Sequence, residues 1–276
     1  MIEKKGVITG LIAYVKKVYS AWIDYPLQEG KLLHGQYRIL RFLGLGSYGL
    51  TYLCQDIRTG TELVVKQAKP SKGQLGRDLL RQETEIMRQL QHPSIPSCLS
   101  SFQENKHMFM VMHYVKGRTV EDLIFERGAK FSEEEALILI RKLMQVVLYL
   151  HKMGFVHRDI RIPNVILQGE RIHLIDFGLA ARIGDPALQD DGTDEALQRR
   201  RATEVTSDLY AIGHFVLFML YSTFESSEVL VESVKSWEEE LELTPATKRM
   251  LRKLLQVDAS YTSTQAFIDE LEAILA

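Results

Sequence analysis

The order in which backbone texture changes along the chain is the strongest constraint on its fold. From Tyr37 to His113 short apolar runs, at Tyr37–Leu43, Thr51–Asp56 and Glu62–Gln67, are separated by glycine-bearing turns and read as strands. A charged helix follows, with Leu75, Leu79, Ile86, Met87 and Leu90 on one side, and stops before His92-Pro93. Two more strands are expected at Ser97–Phe102 and Met108–His113. Beyond Gly117 the pattern is helical. Ser132-Glu-Glu-Glu135 has the form of a capping box and opens a long apolar-striped helix ending near Gly154. Further helices are expected at Thr206–Tyr221, Pro245–Val257 and Ser263–Leu275. A β-rich first third and an α-rich remainder predict an α+β chain of two lobes with a cleft between them.

Ahead of the first strand, Val7, Ile8, Leu11, Ile12, Val15, Val18, Tyr19 and Trp22 recur at helical spacing, so an N-terminal amphipathic helix is expected, ended by Asp24 and Pro26. Its stripe has three open uses: docking on the rest of the protein, pairing with a second copy as a homodimer, or peripheral membrane contact through residues 5–24. Lys4, Lys5, Lys16 and Lys17 suit the last. The expected division is 1–30 for this segment and linker, 31–113 for the β-rich lobe and 114–276 for the helical lobe.

Composition narrows the partners. A net charge of −2 gives no global attraction to nucleic acid or anionic lipid. No apolar run approaches the roughly 18 residues of a membrane span. Cys54 and Cys98 lack paired spacing, which fits a reducing compartment rather than a disulfide or metal site. The expected location is cytoplasmic, with contact at the membrane periphery as the alternative.

Three pieces carry chemistry. Gly44-Leu-Gly46-Ser47-Tyr-Gly49 follows a strand, and its glycines let backbone N–H groups approach phosphate oxygens. A second strand comes next rather than a helix, which argues against a dinucleotide-binding turn. Lys66 closes the apolar strand Leu63-Val-Val-Lys66 and needs a partner, for which Glu83 on the following helix is better placed than Glu85. His157-Arg-Asp-Ile-Arg-Ile-Pro-Asn164 and Ile175-Asp176-Phe-Gly178 then supply Asp159, Asn164 and Asp176, hard oxygen donors suited to Mg²⁺ with substrate phosphates.

In that order these segments resemble the signature of the Hanks-type, eukaryotic-like protein kinases, from about Tyr37 to the C-terminus. The likeness is to a small bacterial Ser/Thr member, and it implies a bilobal protein-kinase-like fold that uses ATP and Mg²⁺ on a protein substrate or on itself. It also implies that Gly44, Gly46, Ser47 and Gly49 cover the ATP phosphates and that Lys66, paired to Glu83, holds them. Asp159 would orient the acceptor hydroxyl, with Arg161 offering charge to the γ-phosphate, while Asn164 and Asp176 bind the metal. Met112 would stand as gatekeeper, with backbone groups from His113 to Val115 meeting adenine. Asp208 would hold the catalytic-loop backbone, and Met87, His157 and Phe177 would share an internal spine.

The chain departs from the family pattern in several places. Arg161 stands where Ser/Thr kinases usually carry Lys, Val64 where Ala is common and Thr51 where Val is common. No Ala-Pro-Glu lies between Gly178 and Asp208, and Thr262 replaces the Arg that would pair with its Glu. Losing both halves together avoids a lone buried charge, but it puts the peptide-docking platform in question. Arg158 has two expected partners: a phosphate on Thr193, Thr203, Thr206 or Ser207, or the acidic Asp190, Asp191 or Asp194. Arg199–Arg201 reads as a solvated helix face. Two readings compete with a protein kinase: a kinase of small or non-protein hydroxyls, and a nucleotide-binding scaffold without turnover.

Overall fold

A computed structural model describes residues 23–186, 194–224 and 235–276. The apolar stripe at 7–22 lies outside the described residues, as do Asp190, Asp191 and Thr193. Two compact units emerge. One runs through Gln89 and takes in Ser97–Tyr114; the other comprises Leu90–Pro96 and everything from Val115. A division at 113/114 therefore differs by Tyr114 and by the segment at 90–96. That segment belongs to the second unit because Gln91 N donates to the Tyr149 hydroxyl and Leu174 N to Ser94 O.

The first unit is a six-stranded antiparallel sheet of β1 (Leu32–Leu33), β2 (Tyr37–Leu45), β3 (Gly49–Asp56), β4 (Glu62–Ala68), β5 (Cys98–Glu104) and β6 (His107–His113), in the order β1-β2-β3-β4-β6-β5. Alternation puts Ile39, Tyr52, Cys54, Val65 and Val111 on one buried face. Burying such a side chain fully is worth roughly 1.5–3 kcal/mol. Helix α1 (Gly73–Gln89) packs on the sheet, burying Leu79, Leu80, Ile86 and Met87. Leu75, read as part of its apolar side, is exposed.

The second unit is helical: α2 (Val120–Arg127), α3 (Glu133–Lys152), α4 (Glu195–Arg201), α5 (Val205–Tyr221), α6 (Trp237–Glu240), α7 (Pro245–Leu254) and α8 (Thr264–Leu275). Ser132 and Glu135 form the expected capping box, each side chain accepting from the other's backbone N–H. Helix α5 is buried along most of its length, and a Cβ on Gly213 would lie 3.0 Å from Leu254 Cβ, so glycine lets α7 come close. Helix α2 had no counterpart among the expected elements, and α4 was expected only as the helix face at Arg199–Arg201. Each starts at a side-chain cap, Thr119 and Asp194, whose signal was present in the sequence. Among the described residues no helix is long and apolar enough to cross a membrane.

Short strands complete this unit: β7 (Arg118–Thr119), β8 (Phe155–Val156), β9 (Val165–Gln168), β10 (Arg171–Leu174) and β11 (Ala181–Arg182). β9 pairs with β10 and with β7, and β8 pairs with β11. A Cβ on Gly117 would lie 2.4 Å from Leu167 O, so only glycine permits the crossing beside β9.

Candidate active site

In the first unit, the hairpin between β2 and β3 closes with Gly46 N donating to Gly49 O at 2.8 Å. A Cβ on Gly49 would stand 3.1 Å from Lys66 Cε, so this glycine makes room for the lysine stem. Lys66 sits between Thr51 and Met110 in neighbouring strands, and Val64 pairs with Met112. Lys66 Nζ donates to both Glu83 oxygens, at 2.7 and 2.8 Å, with the residues only 9% and 3% exposed. Two buried charges are tolerated here because each neutralises the other with good geometry. Ser47 and His113 also belong to this unit; His113 N donates to Ser97 O.

In the second unit, β8 leads into the loop from His157 to Asn164 and β10 into the segment from Ile175 to Ala180. The pairings β8–β11 and β9–β10 hold the two loops side by side, and Ile175 N donates to Asn164 O at 2.9 Å. Asn164 Nδ2 donates to Asp159 Oδ2 and Asp159 O, both at 2.9 Å. Both bonds use the amide nitrogen, so neither engages the amide oxygen, an acceptor. Arg161, 56% exposed, places Nε 3.2 Å from Asp159 Oδ1. Burial raises the Asp159 carboxyl above its ordinary value, and Asp176 adds to this, against the opposing pull of Arg161, His157 and Asn164. Asp176 has φ +63° and Arg158 φ +65°, a left-handed backbone that costs non-glycine residues energy and clusters at functional loops. Val115, on the segment leading into β7, lies in this unit.

Asp208, fully buried at the first turn of α5, accepts from His157 N at 2.8 Å and Arg158 N at 2.7 Å. His151 Nε2 lies 2.9 Å from Asp208 Oδ2, and its Nδ1 2.5 Å from Thr264 Oγ1. Burial pushes the Asp208 carboxyl up, but these hydrogen bonds and the neighbouring histidines bring it below its ordinary value. His151 was not foreseen; a histidine on an amphipathic helix carries no distinctive spacing. His157 and Phe177 meet edge to face at 4.8 Å, whereas Met87 is buried in the other unit.

Arg158 donates from Nε to Arg201 O, the last carbonyl of α4, and from Nη1 to Leu179 O. A cation at a helix C-terminus is favourable by the helix dipole. Of the expected phosphate carriers, Thr203 and Ser207 are buried and donate to Asp185 O and Glu204 O. The arginine run at 199–201 does form part of a helix, and Arg199 pairs with Glu195.

Residues 37–270 match the family described as protein kinase domain. A Bacillus subtilis (strain 168) protein named "Probable serine/threonine-protein kinase YbdM" is 34% identical over 259 residues, covering 93% of this chain and 96% of that one. Arabidopsis thaliana "Serine/threonine-protein kinase 1" is 35% identical over 150 residues, 54% of this chain but 18% of that protein. Among solved structures, the kinase domain of Mycobacterium tuberculosis PknI superposes with a TM-score of 0.69 at 22% identity, covering 91% of this chain and 100% of that one.

Proposed function

The chain belongs to the protein kinase family, and from that premise we propose that it transfers the γ-phosphoryl group of ATP to serine or threonine hydroxyls of a protein, its own chain included. Asp159 carries this reading: Asn164 pins its carboxylate while burial raises its pKa. A carboxylate so placed orients an acceptor hydroxyl and takes its proton as the new O–P bond forms and the bond to ADP breaks.

Gly44, Gly46, Ser47 and Gly49 cover the nucleotide phosphates, and Lys66, steadied by Glu83, neutralises them. Backbone groups at His113 and Val115, beside Met112, receive the adenine. Arg161 lends charge toward the transferring group. Asn164 and Asp176 fit Mg²⁺, which binds through one or two protein oxygens plus substrate phosphates rather than an all-protein cage. When bound, that ion offsets the negative charge of the triphosphate. Most of the rate then comes from positioning and charge stabilisation.

The test is transfer of label from γ-labelled ATP with Mg²⁺ to the protein itself or to casein, wild type beside Asp159→Asn. Label that vanishes in the variant supports the reading, and phosphosite mapping separates Ser/Thr from Tyr. Nucleotide binding without transfer would favour a scaffold or a kinase of non-protein hydroxyls. We further propose peripheral membrane contact through the part of residues 5–24 ahead of Asp24, which is itself buried; equal liposome flotation of the full chain and a chain starting at Gly30 would remove it.

A further inference from the structure

Asp24 precedes the residues matched by the family and takes no part in the chemistry above, yet its carboxylate is buried, with the residue 4% exposed. Its Oδ1 accepts from Ser71 N at 2.8 Å and its Oδ2 from Ser71 Oγ at 2.6 Å, while Lys69 Nζ lies 3.8 Å from Oδ2. A buried carboxylate is costly unless its partners are fixed. These partners all sit on the turn from Lys69 to Lys72 that leads into α1, the helix carrying Glu83.

The same turn grips the glycine-rich loop. Lys69 N donates to Tyr48 O at 2.8 Å, Lys69 Nζ reaches Gly46 O at 3.4 Å, and Lys72 Nζ lies over the Tyr48 ring. It also abuts α1 closely, since a Cβ on Gly76 would lie 3.0 Å from Lys69 O. A second tie fixes the chain after Asp24: Leu27 N donates to the Tyr52 hydroxyl, which donates to Gln67 Oε1, next to Lys66. We propose that Asp24 is a positioning residue for phosphoryl transfer, holding the Lys69–Lys72 turn so that the glycine-rich loop and the helix bearing Glu83 keep their places around ATP. This rests on the protein-kinase reading.

The test uses the full chain with Asp24→Ala, Asp24→Asn, Ser71→Ala and the Asp24→Ala/Ser71→Ala double variant. Initial rates are measured over a range of ATP at fixed Mg²⁺ and casein, alongside calorimetric ATP–Mg²⁺ titration and thermal midpoints. For Asp24→Ala, the KM for ATP and the ATP Kd rise about tenfold, as expected for losing a charged hydrogen bond, with kcat changed far less. Asp24→Asn, which keeps the shape and the bond from Ser71 N, gives a smaller rise. The double variant is no worse than Asp24→Ala, because the bond that Ser71→Ala removes, from Ser71 Oγ to Asp24 Oδ2, is already lost in Asp24→Ala.

An unchanged KM and Kd, or additive effects, would overturn the proposal. So would a fall in thermal midpoint with ATP affinity intact, which would mark Asp24 as merely structural. If Asp24→Ala does not fold, Ser71→Ala decides by the same split. Absence of transfer by wild type would instead count against the kinase reading, and the ATP titration would still decide the role of Asp24.

Discussion

Asn164 Nδ2 donates to both the side-chain and the main-chain oxygen of Asp159, each at 2.9 Å. The carboxylate proposed to orient the acceptor is therefore held by the amide nitrogen of the residue proposed as a metal ligand. Asp159→Asn replaces a proton acceptor with an amide whose oxygen can still accept from Asn164 Nδ2. Transfer falls by about 10²–10⁴-fold while nucleotide binding persists, as single-turnover rates and a nucleotide titration would show.

The pair Lys66–Glu83 is buried on both sides. Glu83→Ala removes the carboxylate to which this buried ammonium donates and destabilises the protein by about 3 kcal/mol, read as a lower urea midpoint. Glu83→Gln, which still accepts a hydrogen bond, costs less.

Asp208 receives two main-chain N–H groups and His151. Asp208→Ala leaves all three buried without their acceptor and costs about 3–5 kcal/mol. Chemical denaturation measures the loss, and activity falls with it because the loop from His157 loses its anchor.

His214 on α5 packs edge to face on Tyr210, and its buried Nε2 has no hydrogen-bond partner among the described residues. Burial, aided by Arg200, brings its pKa down to about 4. The unfolded chain binds the proton at higher pH than the folded one, so this stability is complete above the unfolded value near 6.5 and is lost as pH falls toward 4. Wild type loses up to about 3 kcal/mol between pH 7 and pH 4 by this route. Thermal midpoints across that range fall less steeply in His214→Phe.

Thr203 and Ser207 have buried hydroxyls bonded to backbone carbonyls. Peptide mapping of the active protein finds no phosphate on either, and Ser207→Ala retains transfer. Phosphate found at Ser207 would mean that the start of α5 opens.

Local pattern made much of the architecture legible. Period-two alternation marked the strands, the capping box at Ser132 marked α3, and glycine, lysine and carboxylate spacing marked the candidate site. These signals are short-range, set by backbone geometry and by neighbours one turn or one strand away. The small elements escaped because the two-residue strands β8 and β11 exist only through pairing with each other.

The partner of Arg158 escaped for a related reason. Sequence offered phosphates and carboxylates, but α4 ends with its carbonyl beside the guanidinium, and no local pattern reports where a helix C-terminus will lie. Asp24 read as a helix stop; only the folded chain brings it to Ser71, 47 residues away. His151 likewise met Asp208 and Thr264 only through the packing of α3, α5 and α8. The sequence by itself determined which residue types could perform phosphoryl transfer, because that chemistry demands particular groups in a particular order. Tertiary structure alone decided what holds those groups in place, because burial and long-range hydrogen bonds depend on which segments the core brings together.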